Sequence, residues 1–88
     1  MSEECEPILT AELSLYPLNQ DYIPVIQSFI DRLHDRQGLT VISNAMSTQI
    51  QGEHGLVMTA VSDTLKASAE AYGAQVLVCK FIPMALEL

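Results

Sequence analysis

Leu39-Thr-Val-Ile-Ser-Asn-Ala-Met-Ser-Thr-Gln-Ile-Gln-Gly52 is the stretch on which the architecture of this chain turns. Leu39 to Ser43 is short and rich in β-branched residues, a composition that fits a pleated, half-buried surface. Asn44-Ala45 is the best place for a tight reversal, because asparagine tolerates the left-handed backbone that hairpin turns need. From Met46 to Gly52 the residues alternate again, with Met46, Thr48 and Ile50 on one side and Ser47, Gln49 and Gln51 on the other. Two strands joined by a turn therefore occupy the middle of the chain, and the elements that flank them set the fold class.

Upstream, Ile8 to Tyr16 alternates, with Ala11, Leu13 and Leu15 on one face and Thr10, Glu12, Ser14 and Tyr16 on the other, which describes a strand with one apolar face. Pro17, Asn19 and Asp21 supply turn and capping chemistry. Pro24 fits only the first turn of a helix, where its missing N–H costs nothing. Ile23, Ile26, Ile30 and Leu33 then share a stripe, with Gln27, Asp31, Arg32 and Asp35 off it, and Gly38 follows as a C-cap glycine. Downstream, Met58, Val61, Leu65, Ala69 and Tyr72 recur at helical spacing between Glu53 and Tyr72, and Gly73 closes this second helix. The final element, Gln75 to Ile82, is apolar on both sides except at Lys80. Strand, helix, two hairpin-linked strands, helix and strand is the ferredoxin-like βαββαβ order, an α+β fold with a four-stranded antiparallel sheet and both helices on one face. A last strand apolar on both sides asks for cover on both. No third helix is available, so the expected cover is another copy of the same sheet. The expectation is a homo-oligomer of even subunit number, a dimer or a tetramer.

A chain of 88 residues has room for one core. We expect a flexible tail over residues 1–7 and a single domain over 8–88. Apolar residues make up 49% and charged ones 17%, a globular composition rather than a disordered one. Eleven acidic residues against four basic ones give a net charge of −7, with the basics scattered at Arg32, Arg36, Lys66 and Lys80. Lys and Arg contacts to phosphate supply most nucleic-acid affinity, so neither nucleic acid nor an anionic membrane surface is an expected partner. Cys5 and Cys79 make no disulfide framework, and no Cys/His spacing suggests a metal. With no run of about 18 apolar residues and no signal-peptide pattern, the cytoplasm is the expected compartment.

Catalytic groups are thin. His34 sits near the end of the first helix, where it complements the helix dipole or faces solvent. His54 follows Glu53 in the first turn of the second helix, but no third partner is visible. Glu53 reads more naturally as a carboxylate at a helix N-terminus than as an acid catalyst. The expectation is a chain that is not an enzyme and needs no cofactor, with a small hydrolase built on Glu53 and His54 a distant alternative. The informative constellation is Asn44 to Glu53, where hydroxyl and amide groups crowd one short strand beside Met46. Such a mix can surround a small heterocycle with hydrogen bonds and an apolar wall, or it can be no more than the polar face of a hairpin.

Five pieces of sequence carry a resemblance: Glu12-Leu-Ser-Leu-Tyr-Pro-Leu18, Asp21-Tyr-Ile-Pro-Val-Ile26, Asn44-Ala-Met-Ser-Thr48, Gly52-Glu53 and Val78-Cys-Lys-Phe-Ile82. Together they resemble the YkoF-like family of thiamine and hydroxymethylpyrimidine binding proteins over nearly the whole chain. The resemblance implies non-catalytic binding of thiamine or its hydroxymethylpyrimidine moiety, in thiamine precursor uptake, salvage or sequestration. It also implies a second domain copy contributed by another subunit, since some members carry two such domains in one chain. The binding role it implies falls on Ser14, Tyr16, Asn44, Met46, Ser47, Thr48 and Glu53. Ser14, Asn44, Ser47 and Thr48 would hydrogen-bond the ring, and Tyr16 and Met46 would wall it. In a flat strand Met46 and Thr48 point away from Ser47, so the three share a pocket only at a strand end or a bulge. Otherwise Met46 and Thr48 belong to the core. The alternative reading is a structural or regulatory oligomerisation domain of the same fold with no ligand.

Overall fold

The computed structural model describes residues 7–18, 20–44 and 47–88. Its elements are β1 (Ile8–Pro17), α1 (Tyr22–His34), β2 (Thr40–Ser43), β3 (Thr48–Glu53), α2 (His54–Tyr72) and β4 (Gln75–Ile82). The four strands form one antiparallel sheet in the order β2-β3-β1-β4, the ferredoxin-like arrangement. Of the expected tail, residues 1–6 lie outside the described residues, as do Asn19, Ala45 and Met46; Pro7 is held by its carbonyl, which accepts the His54 N–H at 2.9 Å.

Partners in an antiparallel ladder share a face, so Ala11 opposite Ile50 fixes the inner side of the sheet. Leu9, Ala11 and Leu13 of β1 pack there with Ile50, under Phe29 and Leu33 of α1 and Val57, Ala60 and Val61 of α2. Both helices are rotated from the stripes expected for them. In α1 the buried residues are Val25, Phe29 and Leu33, with Ile26 and Ile30 half-buried at the margin and Ile23 exposed. In α2 they are Val57, Ala60, Val61, Thr64 and Ser68, whereas Met58 and Tyr72 are exposed. Hydrophobicity favoured the larger side chains, but a helix lying close on a sheet presents small ones, and the hydroxyls of Thr64 and Ser68 disguised that face as polar.

Three local expectations are refined. Gly38 and Gly73 do adopt positive φ, at 86° and 90°, which a side chain would disfavour. Asn44 does not: no non-glycine among the described residues has positive φ. It shapes the reversal with its side chain instead, Oδ1 accepting the Ser47 N–H at 3.0 Å while its own N–H donates to the Ser47 carbonyl at 2.9 Å. Asp21 holds the N-cap position of α1 without a side-chain capping bond.

The outer face of the sheet carries Thr10, Glu12, Ser14 and Tyr16 of β1 beside Ile82, Lys80, Val78 and Val76 of β4. Part of it is covered by the chain's own C-terminal segment. Thr10 Oγ1 donates to the Met84 carbonyl at 2.8 Å, and Gln51 Nε2 donates to the Leu86 carbonyl at 2.8 Å and to Thr10 Oγ1 at 2.9 Å. Val76, Val78 and Ile82 remain exposed.

Candidate functional site

The β1–β3 ladder runs from Ile8 opposite Glu53 to Leu13 opposite Thr48 and stops there. β1 continues to Pro17 paired with β4 alone, from Ser14 opposite Val78 to Pro17 opposite Gln75. From Ser14 onward β1 therefore loses its neighbour on the β3 side, next to the place where β2 and β3 close at Ser43 opposite Thr48. Helix α1 passes over this gap. The result is a cleft of about 100 Å³ with Ser14, Asn44, Ser47 and Thr48 on its polar side. Phe29, Ile26 and Ile30 of α1 and Leu13 and Leu15 of β1 form its apolar side.

The position at a ladder end explains how residues of opposite orientation meet. Thr48 is the inner-face partner of Leu13 and is buried, and its hydroxyl lies 3.0 Å from Ser43 Oγ, where either can donate. Ser47 turns to the outer side, where its hydroxyl donates to Glu12 Oε2 at 3.0 Å. The other Glu12 oxygen is 3.8 Å from Lys80 Nζ, an exposed contact that adds little energy but ties β3, β1 and β4 across one line. Serine and threonine hydroxyls each combine one donor with two acceptor lone pairs, so both retain hydrogen-bonding capacity toward a guest. Among the described residues no ionisable side chain lines the cleft. It is suited to a small, flat, neutral ring recognised by hydrogen bonds against the Phe29 ring, not to a charged group.

Four of the residues nominated from sequence are thus brought together: Ser14, Asn44, Ser47 and Thr48. Three are not. Tyr16 lies on the outer face, 56% exposed, and does not line the cleft. Glu53 pairs with Ile8 at the opposite end of the ladder, five residues from Thr48 or roughly 17 Å along the strand. Met46 falls outside the described residues. Sequence reasoning missed Phe29, Ile26 and Ile30 as walls, Ser43 as partner of the Thr48 hydroxyl, and Glu12 as the anchor of Ser47. Phe29 was reachable by reading Val25, Phe29 and Leu33 as the buried row of α1; the Glu12–Ser47 contact joins residues 35 apart in sequence and left no local signal.

His54 and Glu53 are exposed at the start of α2, and among the described residues no three His, Cys, Asp or Glu side chains converge as a metal site. Cys79, half-buried on β4, has its thiol pKa pushed up by burial, so it is protonated and unreactive near neutrality. Among the described residues no helix is long and apolar enough to cross a membrane.

Residues 8–82 match the model of the YKOF-related family. Several solved structures share the fold. A Streptococcus pneumoniae protein superposes with a TM-score of 0.79 at 21% identity, covering 85% of this chain and 84% of its own. A proposed thiamine biosynthesis/salvage protein from Thermotoga maritima gives a TM-score of 0.76 at 19% identity, over 85% of this chain and 82% of that one. A hypothetical protein from Methanocaldococcus jannascii gives 0.78 at 19% identity, over 93% and 86%. No curated protein matches at the level of sequence similarity.

Proposed function

The chain belongs to the YKOF-related family, and from the geometry of its cleft we propose that it binds the aminopyrimidine ring of thiamine or hydroxymethylpyrimidine without changing it chemically. The observation that carries this reading is the meeting of Ser14, Asn44, Ser47 and Thr48 around one cleft walled by Phe29. An aminopyrimidine presents ring-nitrogen acceptors and an exocyclic amine donor, which match hydroxyls that both give and take hydrogen bonds. At about 100 Å³ the cleft holds roughly three waters at ~30 Å³ each, the scale of one six-membered ring. In thiamine the second ring would project toward solvent. The thiamine link of one structural relative agrees with this ligand class.

The assembly in this reading is a homo-oligomer. Val76, Val78 and Ile82 of β4 lie open on the outer face, and a second copy of the sheet would bury them. The compartment is the cytoplasm, where thiamine precursors are taken up, salvaged or sequestered. The same apolar strip favours a second reading, an oligomerisation domain with no ligand.

Isothermal titration calorimetry with thiamine and with hydroxymethylpyrimidine separates the two. The expected result is saturable heat at one site per chain, tighter for the ligand whose ring alone fills the cleft. Silence with both ligands, from protein shown by light scattering to be an oligomer, would leave the second reading standing.

A further inference from the structure

The outer face of the sheet has two halves of opposite chemistry. β4 supplies an apolar half in Val76, Val78 and Ile82, whereas β1 and β3 supply a polar half in Thr10, Glu12, Gln49 and Gln51. The segment that follows β4 crosses the polar half. The Met84 N–H donates back to the Ile82 carbonyl at 2.8 Å, which turns the chain off the end of β4. Thr10 Oγ1 then holds the Met84 carbonyl over β1, and Gln51 Nε2 holds the Leu86 carbonyl over β3, each at 2.8 Å. Both clamps grip backbone, and the side chains of Met84, Leu86 and Leu88 stay accessible, at 55%, 37% and 39% exposure.

A segment placed to shield the sheet from water would lay its apolar side chains on Val76 and Val78, yet both of these remain exposed. This one does the reverse. Its carbonyls satisfy the polar groups beneath, and its apolar side chains extend the strip that β4 begins. Thr10, Glu12, Gln49 and Gln51 would otherwise break that strip at the middle of the sheet.

We propose that residues 84–88 build half of the surface on which two copies of this chain pair, sheet to sheet; the proposal rests on the homo-oligomer reading above. A stable pair buries roughly 800 Å² on each partner, a little over half of it apolar. Three partly exposed aliphatic side chains on β4 fall well short of that, and the three of the segment about double them. A net charge of −7 sets two copies against each other. At the centre of this face, however, Glu12 and Lys80 lie 3.8 Å apart and offset one another, so two copies can approach here without like charges meeting. Beside the segment a cleft of about 150 Å³, lined by Gln49, Ile82, Leu86 and Leu88 among others, has room for one aliphatic side chain of the facing copy. A twofold contact fills both such clefts at once.

Sedimentation velocity of the full chain, a chain ended after Pro83, Gln51→Ala and Val78→Lys, each over a concentration series to roughly 100 µM, tests this. The core cluster contains no residue of the segment, so the shortened chain should fold, as circular dichroism would show. The full chain should pair, and loss of residues 84–88 should weaken pairing at least about tenfold. Gln51→Ala keeps every apolar side chain but removes one clamp, and should weaken pairing about threefold, part of the worth of one hydrogen bond. Pairing that Val78→Lys disrupts but the shortened chain retains would overturn the role of the segment and leave the homo-oligomer standing. Tighter pairing of the shortened chain would also overturn it, making the segment a cover. A full chain that stays monomeric at every concentration would overturn both readings together.

Discussion

The two ends of the β1–β3 pair are finished in opposite ways. At the Ile8–Glu53 end the ladder is closed: the His54 N–H donates to the Pro7 carbonyl at 2.9 Å, and Gly52 lies so close to the α1–β2 turn that a Cβ there would sit 2.7 Å from the Gly38 carbonyl oxygen. At the Leu13–Thr48 end the ladder stops, β1 carries on with one neighbour, and a cleft opens under α1. A paired strand commits its backbone groups to the ladder and its side chains to two faces. Where pairing ends, inner-face and outer-face residues can meet, as Thr48 and Ser47 do. The same two strands thus brace the fold at one end and present a binding surface at the other.

The largest effect expected is at the open end. Phe29 is 2% exposed, packs with the core and walls the cleft, so Phe29→Ala should cost about 3–5 kcal/mol of stability, read by urea unfolding, and should remove ligand heat as well. A cost below about 1 kcal/mol would mean that α1 does not seal this end. Gly52→Ala tests the closed end. The added methyl meets a backbone carbonyl that cannot swing aside, so a loss of about 1–3 kcal/mol is expected, with ligand affinity unchanged in the folded protein. Comparable losses of affinity in both variants would break the division of labour between the ends.

Thr48→Val is subtler. It keeps the shape of a buried side chain but takes away the partner of Ser43 Oγ at 3.0 Å. Stability should fall by about 0.5–1.5 kcal/mol, and affinity for hydroxymethylpyrimidine about tenfold, the worth of one good hydrogen bond to the ring. Ser14→Ala should match it in affinity at less cost in stability, because Ser14 is only half-buried. Thr48→Val affinity equal to the unmodified chain would return Thr48 to a core role.

The contrast between the ends also marks what the sequence made legible. Alternation in Ile8–Tyr16 and the two glycines of positive φ gave the strand, the helix stops and hence the βαββαβ order, because these signals are local. The polar cluster of Asn44, Ser47 and Thr48 was visible for the same reason. Helix rotation was not. Val57, Ala60, Thr64 and Ser68 are buried because side chains this small let α2 pack closely, and a hydrophobicity pattern ranks Met58 and Tyr72 above them. The separation of Glu53 from the cleft was equally hidden, since it depends on where the β1–β3 register stops and no residue of either strand announces that. The resemblance that grouped Glu53 with Thr48 joined residues five apart on one strand, and an extended strand carries them apart.

The smallest effect expected is therefore the one that sharpens the comparison most. Glu53 is exposed, sits at the N-cap position of α2 with no side-chain capping bond, and lies at the closed end. Its carboxylate acts there only through the positive end of the helix, an interaction worth about 0.3–1 kcal/mol at an exposed site and weakened by salt. Glu53→Gln should lower stability by no more than that, less at high ionic strength, and leave hydroxymethylpyrimidine affinity within about twofold. A tenfold loss of affinity in Glu53→Gln would require the ligand to reach both ends of the ladder, a span of roughly 17 Å that a single ring does not cover. A bound molecule of that length, lying along β3 with one end at Thr48 and the other at Glu53, would then replace the one-ring cleft as the description of the site.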